Sequence, residues 1–308
     1  MKRGVLIWSE SGGIGKTTLS TNLCAALARK GESVLAIDLD PQVGGLTNHL
    51  GLTEYYEMER EMILHAMLDP DNSDVREQIV EAGGFDVIPS SAGLSNADRA
   101  IQKDRMMREL HSKQYNHSTG MGDDNEPEIP YIARLQAVLQ PVIHEYDYII
   151  IDAQASYSVL IDNAIVATRE IMIPMEPNEK GIQTVKSFGE TIDRLEKQYS
   201  DMFQNFSLNT LAMIPNEKED STIHNKVLRQ LIDEGYPVTP FAIRCRNQLQ
   251  YAWGENMHIY DYTEENDLWE KNSDIIQWFD QLAEIVKRGY IDREEDRVGK
   301  FVEERWLS

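Results

Sequence analysis

Gly4-Val5-Leu6-Ile7-Trp8-Ser9-Glu10-Ser11-Gly12-Gly13-Ile14-Gly15-Lys16-Thr17-Thr18-Leu19 decides how the rest of the chain is read. An apolar run, Gly4 to Trp8, stops at Ser9 and gives way to a glycine-rich loop. From Lys16 to Arg29 the apolar residues Leu19, Leu23, Ala26 and Leu27 recur at helical spacing, and Gly31 stands where helices commonly end. Val34 to Ile37 is a second apolar run, ending in Asp38-Leu39-Asp40-Pro41. Strand, loop, helix and strand in this order predict a right-handed parallel crossover. Glycines let backbone amides approach phosphate oxygens, and the helix N-terminus adds its dipole there. The pattern places Lys16 to reach the β- and γ-phosphates of a nucleotide and the Thr17 hydroxyl to hold Mg²⁺.

The alternation recurs downstream. Strands are expected at Phe85 to Ile88, Tyr148 to Ile151, Glu170 to Ile173 and Leu208 to Ile214, with Pro89, Asp152, Pro174 and Pro215 at their ends. Helical patterns lie at about 96–111, 131–145, 158–168, 180–199 and 221–234. The expected fold is α/β: a doubly wound, mostly parallel sheet flanked by helices. Ligands bind beyond the carboxyl ends of such strands, where Ser9, Asp40, Asp152 and Pro215 fall. His111 to Pro130 is polar and lacks apolar periodicity, so it reads as a mobile loop within one domain spanning 1–290. From Ile275 onward the chain reads as helical and amphipathic, and 291–308 forms a helical tail.

Composition narrows the classes. The 308 residues are 41% apolar and 27% charged, enough to bury a full core. No run of eighteen apolar residues and no signal-peptide pattern occur, so a cytoplasmic location is expected. Two cysteines, Cys24 and Cys245, exclude a disulfide framework and a four-cysteine metal site within one chain. Both are expected to be buried and inert. With 52 acidic and 30 basic residues the net charge is −22, which excludes a uniformly basic nucleic-acid coat. A salt-rich cytoplasm is one cause of such a balance.

Position 10 is Glu10, so the pattern G-x-x-x-x-G-K-[ST] fails, and x-G-G-x-G-K-T fits instead. With Asp38-Leu39-Asp40-Pro41-Gln42, the chain strongly resembles the ParA/MinD family of P-loop ATPases with a deviant Walker A loop. Tyr146-Asp147-Tyr148-Ile149-Ile150-Ile151-Asp152-Ala153 resembles the family's Walker B strand. Ile173-Pro174-Met175-Glu176-Pro177 and Phe241-Ala242-Ile243-Arg244-Cys245-Arg246 also resemble family segments. The resemblance covers roughly 3–265. It is closer to the ParA branch, and to plasmid-borne members from halophilic archaea, than to MinD.

The resemblance implies ATP and Mg²⁺ as cofactors. Ser11, Gly12, Gly13, Ile14, Gly15, Lys16, Thr17 and Thr18 would bind the nucleotide. Thr17, Asp38 and Asp152 would support Mg²⁺, and Asp40 would orient the attacking water. Pro215 and Asn216 would lie against adenine. The family's signature lysine, which reaches the partner subunit's nucleotide in an ATP-bound homodimer, is replaced here by Ser11. The carboxysome-positioning McdA group resembles this chain in that serine. There a later lysine is thought to take over, which matches Lys180 in Glu176-Pro177-Asn178-Glu179-Lys180-Gly181.

The resemblance further implies ATP-driven dimerisation, non-specific DNA binding on the nucleoid, and a ParB-like or adaptor protein that stimulates hydrolysis. Together these would position or segregate DNA or another cargo. Lys226, Arg229, Arg244 and Arg246 are the candidate DNA contacts. The alternative is a MinD-like, membrane-associated spatial regulator. The tail carries Val298, Phe301, Val302 and Trp306 at helical spacing, but its acids disfavour anionic lipid, and membrane binding is not expected. A metal-cluster carrier would need a cysteine pair near the C-terminal half, and an ATP-dependent amidotransferase would need a substrate pocket that no motif supplies.

Overall fold

Tyr148-Ile149-Ile150-Ile151-Asp152 is buried at all five positions. A parallel strand buried on both faces requires helices on both sides of its sheet. In the computed structural model, which describes residues 1–57, 62–119, 129–216 and 222–296, this segment is the central strand of seven. The strands are β1 (Arg3–Ile7), β2 (Val34–Asp38), β3 (Val80–Ala82), β4 (Phe85–Ile88), β5 (Tyr148–Asp152), β6 (Glu170–Met175) and β7 (Asn209–Pro215). Their spatial order is β3-β4-β2-β5-β1-β6-β7, and only the β3–β4 pair is antiparallel. The doubly wound α/β fold expected from the sequence is the fold observed.

The helices are α1 (Lys16–Arg29), α2 (Leu46–His49), α3 (Thr53–Glu57), α4 (Ile63–Leu68), α5 (Ala97–Thr119), α6 (Arg134–Leu139), α7 (Val159–Thr168), α8 (Glu179–Ser200), α9 (Thr222–Asp233), α10 (Asn247–Gly254), α11 (Ile259–Glu265) and α12 (Trp269–Arg288). Strand side chains alternate between two cores. Leu6, Leu35, Ile37, Ile149 and Ile151 pack with residues of α4 to α9, among them Ile101, Ile161, Val185 and Leu228. Val5, Ile7, Ala36 and Ile150 pack with α1 and α10 to α12, through Leu23, Ala252, Ile259 and Phe279. Each fully buried Leu or Ile contributes roughly 1.5–3 kcal/mol.

Register then sets the site. Ile7 and Asp38 both pair with Asp152, so β1, β2 and β5 end level with one another. Among the described residues no helix is long and apolar enough to cross a membrane.

Several expectations about individual elements need correction. Strand β3 was not anticipated. It joins β4 through Gly83 and Gly84, both at positive φ, a two-glycine hairpin turn. The helix expected over 131–145 is regular only from Arg134 to Leu139, because Pro141 cannot continue it. The loop expected from His111 is helical to Thr119. Polar residues alone do not stop a helix, and the first downstream Gly or Pro is Gly120. The part of that loop at 120–128 lies outside the described residues. Helix α12 ends at Arg288, where Gly289 turns the chain at φ 90, so the helical pattern does not run on from Ile275 to the end. Beyond it Asp296 is fully buried and bound by Arg288 at 2.6 Å. The apolar stripe from Val298 to Trp306 lies outside the described residues.

Candidate functional site

The glycine loop lies at the carboxyl end of β1 and opens α1. Gly13 and Gly15 take φ of 74 and 80, a region costly for other residues. At Gly15 a Cβ would also fall 2.4 Å from Asn216 Nδ2. Around Gly12 and Gly13 a Cβ would meet nothing within 4 Å, so the loop is an open cradle. No side chain caps α1, which leaves its first amides for a ligand.

Lys16 is buried, and its Nζ donates to the Ser11 carbonyl at 2.9 Å. Burial pulls its ammonium below the ordinary lysine range, while the charges of Asp152 and Asp40 oppose that shift. The Thr17 hydroxyl donates to Asp152 Oδ2 at 2.7 Å, and the Ser20 hydroxyl to Oδ1 at 2.9 Å. Ser20 was not anticipated, although it stands three residues after Thr17 on the same helix face. Burial, reinforced by the charge of Asp38, pushes the Asp152 carboxyl up to about 7.

Asp38 is also buried. Its Oδ2 accepts both the N–H and the hydroxyl of Thr47, at 2.8 and 2.7 Å, and its Oδ1 accepts the Asp40 N–H at 3.0 Å. Burial raises it to about 6 against the pull of those bonds. Asp40 is half-buried, and its carboxylate accepts the Gln42 N–H at 2.9 Å.

Two clefts flank the loop. One, of about 220 Å³, is lined by Gly15, Thr18 and Asn216 on the loop side and by Ile243, Leu249 and Trp253 opposite. Asn216 belongs to it, but its amide nitrogen is committed to the Ile14 carbonyl at 2.6 Å. Pro215 does not line it. That residue ends β7, and its carbonyl accepts the Ile243 N–H at 2.8 Å. Arg244, Cys245 and Arg246 line the same cleft. Cys245 is exposed, contrary to expectation, and Cys24 is buried as expected. Arg246 pairs with Asp274 at 2.7 Å. Lys226 and Arg229 lie instead on α9, whose Val227 and Leu228 pack into the core on one sheet face, whereas Ile243 packs into the other. Lys226 is exposed and Arg229 half-buried.

The other cleft, of about 290 Å³, is more polar and includes Ser9, Glu10, Ser11, Gly12, Glu176 and Lys180. Lys180 is exposed in the first turn of α8, which Asn178 caps by accepting the Gly181 N–H at 2.8 Å. Ser11 and Lys180 thus face one cavity, although 169 positions separate them in the chain.

Thr17 and Asp152 form a hard-oxygen pair of the kind Mg²⁺ uses, since that ion takes few protein ligands and keeps several waters. Among the described residues no three His, Cys, Asp or Glu side chains converge into a larger metal cage.

Residues 2–205 match the family described as AAA domain. The sporulation initiation inhibitor protein Soj of Bacillus subtilis is 30% identical over 199 residues, 64% of this chain and 67% of that protein. For several other curated relatives the match spans 52% to 64% of their length. Among solved structures, the McdA(D38A)–ATP complex of Cyanothece superposes with a TM-score of 0.62 at 24% identity, covering 84% of this chain and 89% of that one. Cobyrinic acid a,c-diamide synthase of Mycobacterium smegmatis, with bound ADP and magnesium, gives the same TM-score of 0.62 at 22% identity, covering 88% and 95%. These two likenesses concern the fold. The match over residues 2–205, together with the identity to Soj, makes this chain a member of the AAA domain family, within the ParA/MinD superfamily.

Proposed function

We propose that the chain is a ParA-type, Mg²⁺-dependent ATPase that dimerises on ATP and positions or segregates DNA or another cargo. The observation that carries this reading is the open glycine cradle with Lys16 above it and the Thr17–Asp152 pair beside it. Equal fold likeness, at a TM-score of 0.62, to a plasmid partition protein of Borrelia burgdorferi and to an amide-forming synthase does not choose between them. The sequence likeness to chromosome partitioning proteins ParA of Myxococcus xanthus and Caulobacter vibrioides, 27% and 29% identical, favours the former.

In this reading the amides of Gly12 to Thr18 receive the phosphate oxygens. Lys16 moves from the Ser11 carbonyl to the terminal phosphates, supplying a charge worth more in a buried site than in water. Thr17 and Asp152 would hold Mg²⁺, which when bound neutralises charge on the phosphate oxygens. Asp40, half-exposed at the rim, accepts a proton from the attacking water. The apolar cleft behind Gly15 and Thr18 takes the base. Lys180 reaches the nucleotide of a second copy in place of the lysine absent at Ser11. Lys226 and Arg229 serve as DNA contacts on α9. Arg246 is the weaker candidate, being already paired with Asp274.

The test is co-sedimentation with random-sequence duplex DNA under ATP, ADP or no nucleotide across a KCl series. ATP-only binding that weakens with salt supports the reading, and the slope counts phosphate contacts. No binding at any salt where the protein stays folded removes DNA as the scaffold.

A further inference from the structure

The turn Asp40-Pro41 is held by hydroxyl groups to which the mechanism above gives no role. The Asp40 N–H donates to Asp38 Oδ1 at 3.0 Å, and Asp38 Oδ2 accepts the Thr47 hydroxyl at 2.7 Å. Thr47 Oγ1 in turn accepts the Ser90 N–H at 2.7 Å, and the Ser90 hydroxyl donates to the Asp40 carbonyl. The four residues close a ring, and Asp38, Thr47 and Ser90 are all buried within it. Outside the ring the Tyr56 hydroxyl donates to the Pro41 carbonyl. Burial and the charges of Asp40 and Asp38 raise the Tyr56 phenol, which keeps it a donor.

Ser90 follows β4, the sheet neighbour of β2, and Tyr56 lies on α3, so two elements distant from β2 in sequence grip successive carbonyls of one turn. With both its N–H and its C=O held, Asp40 keeps only its side-chain torsions, and its Oδ1 is further tied to the Gln42 N–H at 2.9 Å.

We infer that Ser90, seconded by Tyr56, is a positioning residue that aims the Asp40 carboxylate at the phosphate-binding loop. The inference rests on the reading of Asp40 as the carboxylate that activates water. Small misplacements of such a group slow chemistry more than they weaken binding.

The experiment compares Mg-ATP turnover by the full chain with that of Ser90→Ala, Ser90→Thr, Tyr56→Phe and Asp40→Ala, alongside the affinity of each for a non-hydrolysable ATP analogue. Ser90→Ala is expected to lower kcat about tenfold while KM and analogue affinity stay within about twofold. Ser90→Thr, which keeps the hydroxyl, restores most of that loss. Tyr56→Phe lowers kcat about threefold. An unchanged kcat in Ser90→Ala, or equal losses in kcat and analogue affinity, overturns the inference. Should Ser90→Ala fail to fold, Tyr56→Phe decides by the same split. Wild-type turnover by Asp40→Ala would remove the reading of Asp40 itself, whereas an inactive Asp40→Ala beside a normal Ser90→Ala removes only the positioning role.

Discussion

The two clefts beside the phosphate-binding loop differ in what they leave unsatisfied. The one behind Gly15 and Thr18 is walled largely by the apolar side chains of Ile243, Leu249, Trp253 and Phe279, as a pocket for a flat, partly apolar group should be. The one in front of Ser11 and Gly12 brings Glu10, Glu176 and Lys180 together in a lining with fewer apolar residues, Ile14 and Met175 among them. Charged side chains at such a mouth gain most when another molecule excludes water from them. One loop thus presents a mainly apolar cleft on one side and a charged one on the other. In the proposed reading, the first takes the base and the second a further copy of the chain.

The comparison breaks most sharply at Lys180. Replacing it with Ala should raise the dissociation constant of the ATP-bound dimer roughly 100-fold, because a symmetric dimer loses the contact twice. Nucleotide affinity of the monomer should stay within about twofold. Light scattering after size exclusion, with ATP and with ADP, reads the first quantity, and titration calorimetry reads the second. A dimer that forms as well as in wild type would leave the polar cleft without its assigned role. The opposite side is sharpened through Cys245, which is exposed among the wall residues while Cys24 is sealed in the core. Saturating ATP should slow alkylation of Cys245 about tenfold, with Cys24 silent throughout. Alkylation at the same rate with and without ATP would mean that the base lies elsewhere.

The two sides were unequally legible in the sequence. Lys16, Thr17 and the glycines are contiguous, and a contiguous motif carries its own geometry. Asp152 was readable because three isoleucines lead straight into it, and the level ends of β2 and β5 follow from parallel pairing. The far wall was not readable. Leu249, Trp253 and Phe279 lie more than 200 positions from the loop, and they meet it only because α10 and α12 cover the same sheet face as α1. Arg244 and Arg246 lie in an irregular stretch before α10 and resemble surface charge in isolation, and only the fold shows that they edge a cleft. Lys180 is the intermediate case. Lys180 itself was proposed from resemblance, and its place on the cleft that Ser11 also lines depends on the start of α8 packing closely after β6, with no room for a Cβ at Gly181 beside the Glu176 carbonyl. The Gly83-Gly84 hairpin and the break at Pro141 were legible signals that periodicity alone overrides.

The smallest expected effect concerns what stands behind the apolar wall. Trp253 stacks on His49 at 4.1 Å, and the His49 Nε2–H donates to the Met257 carbonyl at 2.9 Å. Burial lowers His49 from 6.5 to about 4, with the nearby His258 adding to the shift and the Met257 bond opposing it. A depressed folded-state value means that the unfolded chain binds the extra proton first. The stabilisation is therefore fully present above about pH 6.5 and is lost as pH falls toward about 4. Between about pH 7 and about pH 5.5 this amounts to about 1 kcal/mol. The buried carboxylates Asp38 and Asp152, both raised, act with the opposite sign over the same range, so the wild-type curve alone does not isolate the histidine. His49→Gln keeps a polar planar group and removes the titration. Urea unfolding of both proteins at the two pH values should show wild type losing about 1 kcal/mol more than the variant on acidification. Equal losses would mean that the ring is already protonated, or solvated, in the folded chain, and that the stack with Trp253 does not seal the back of the cleft.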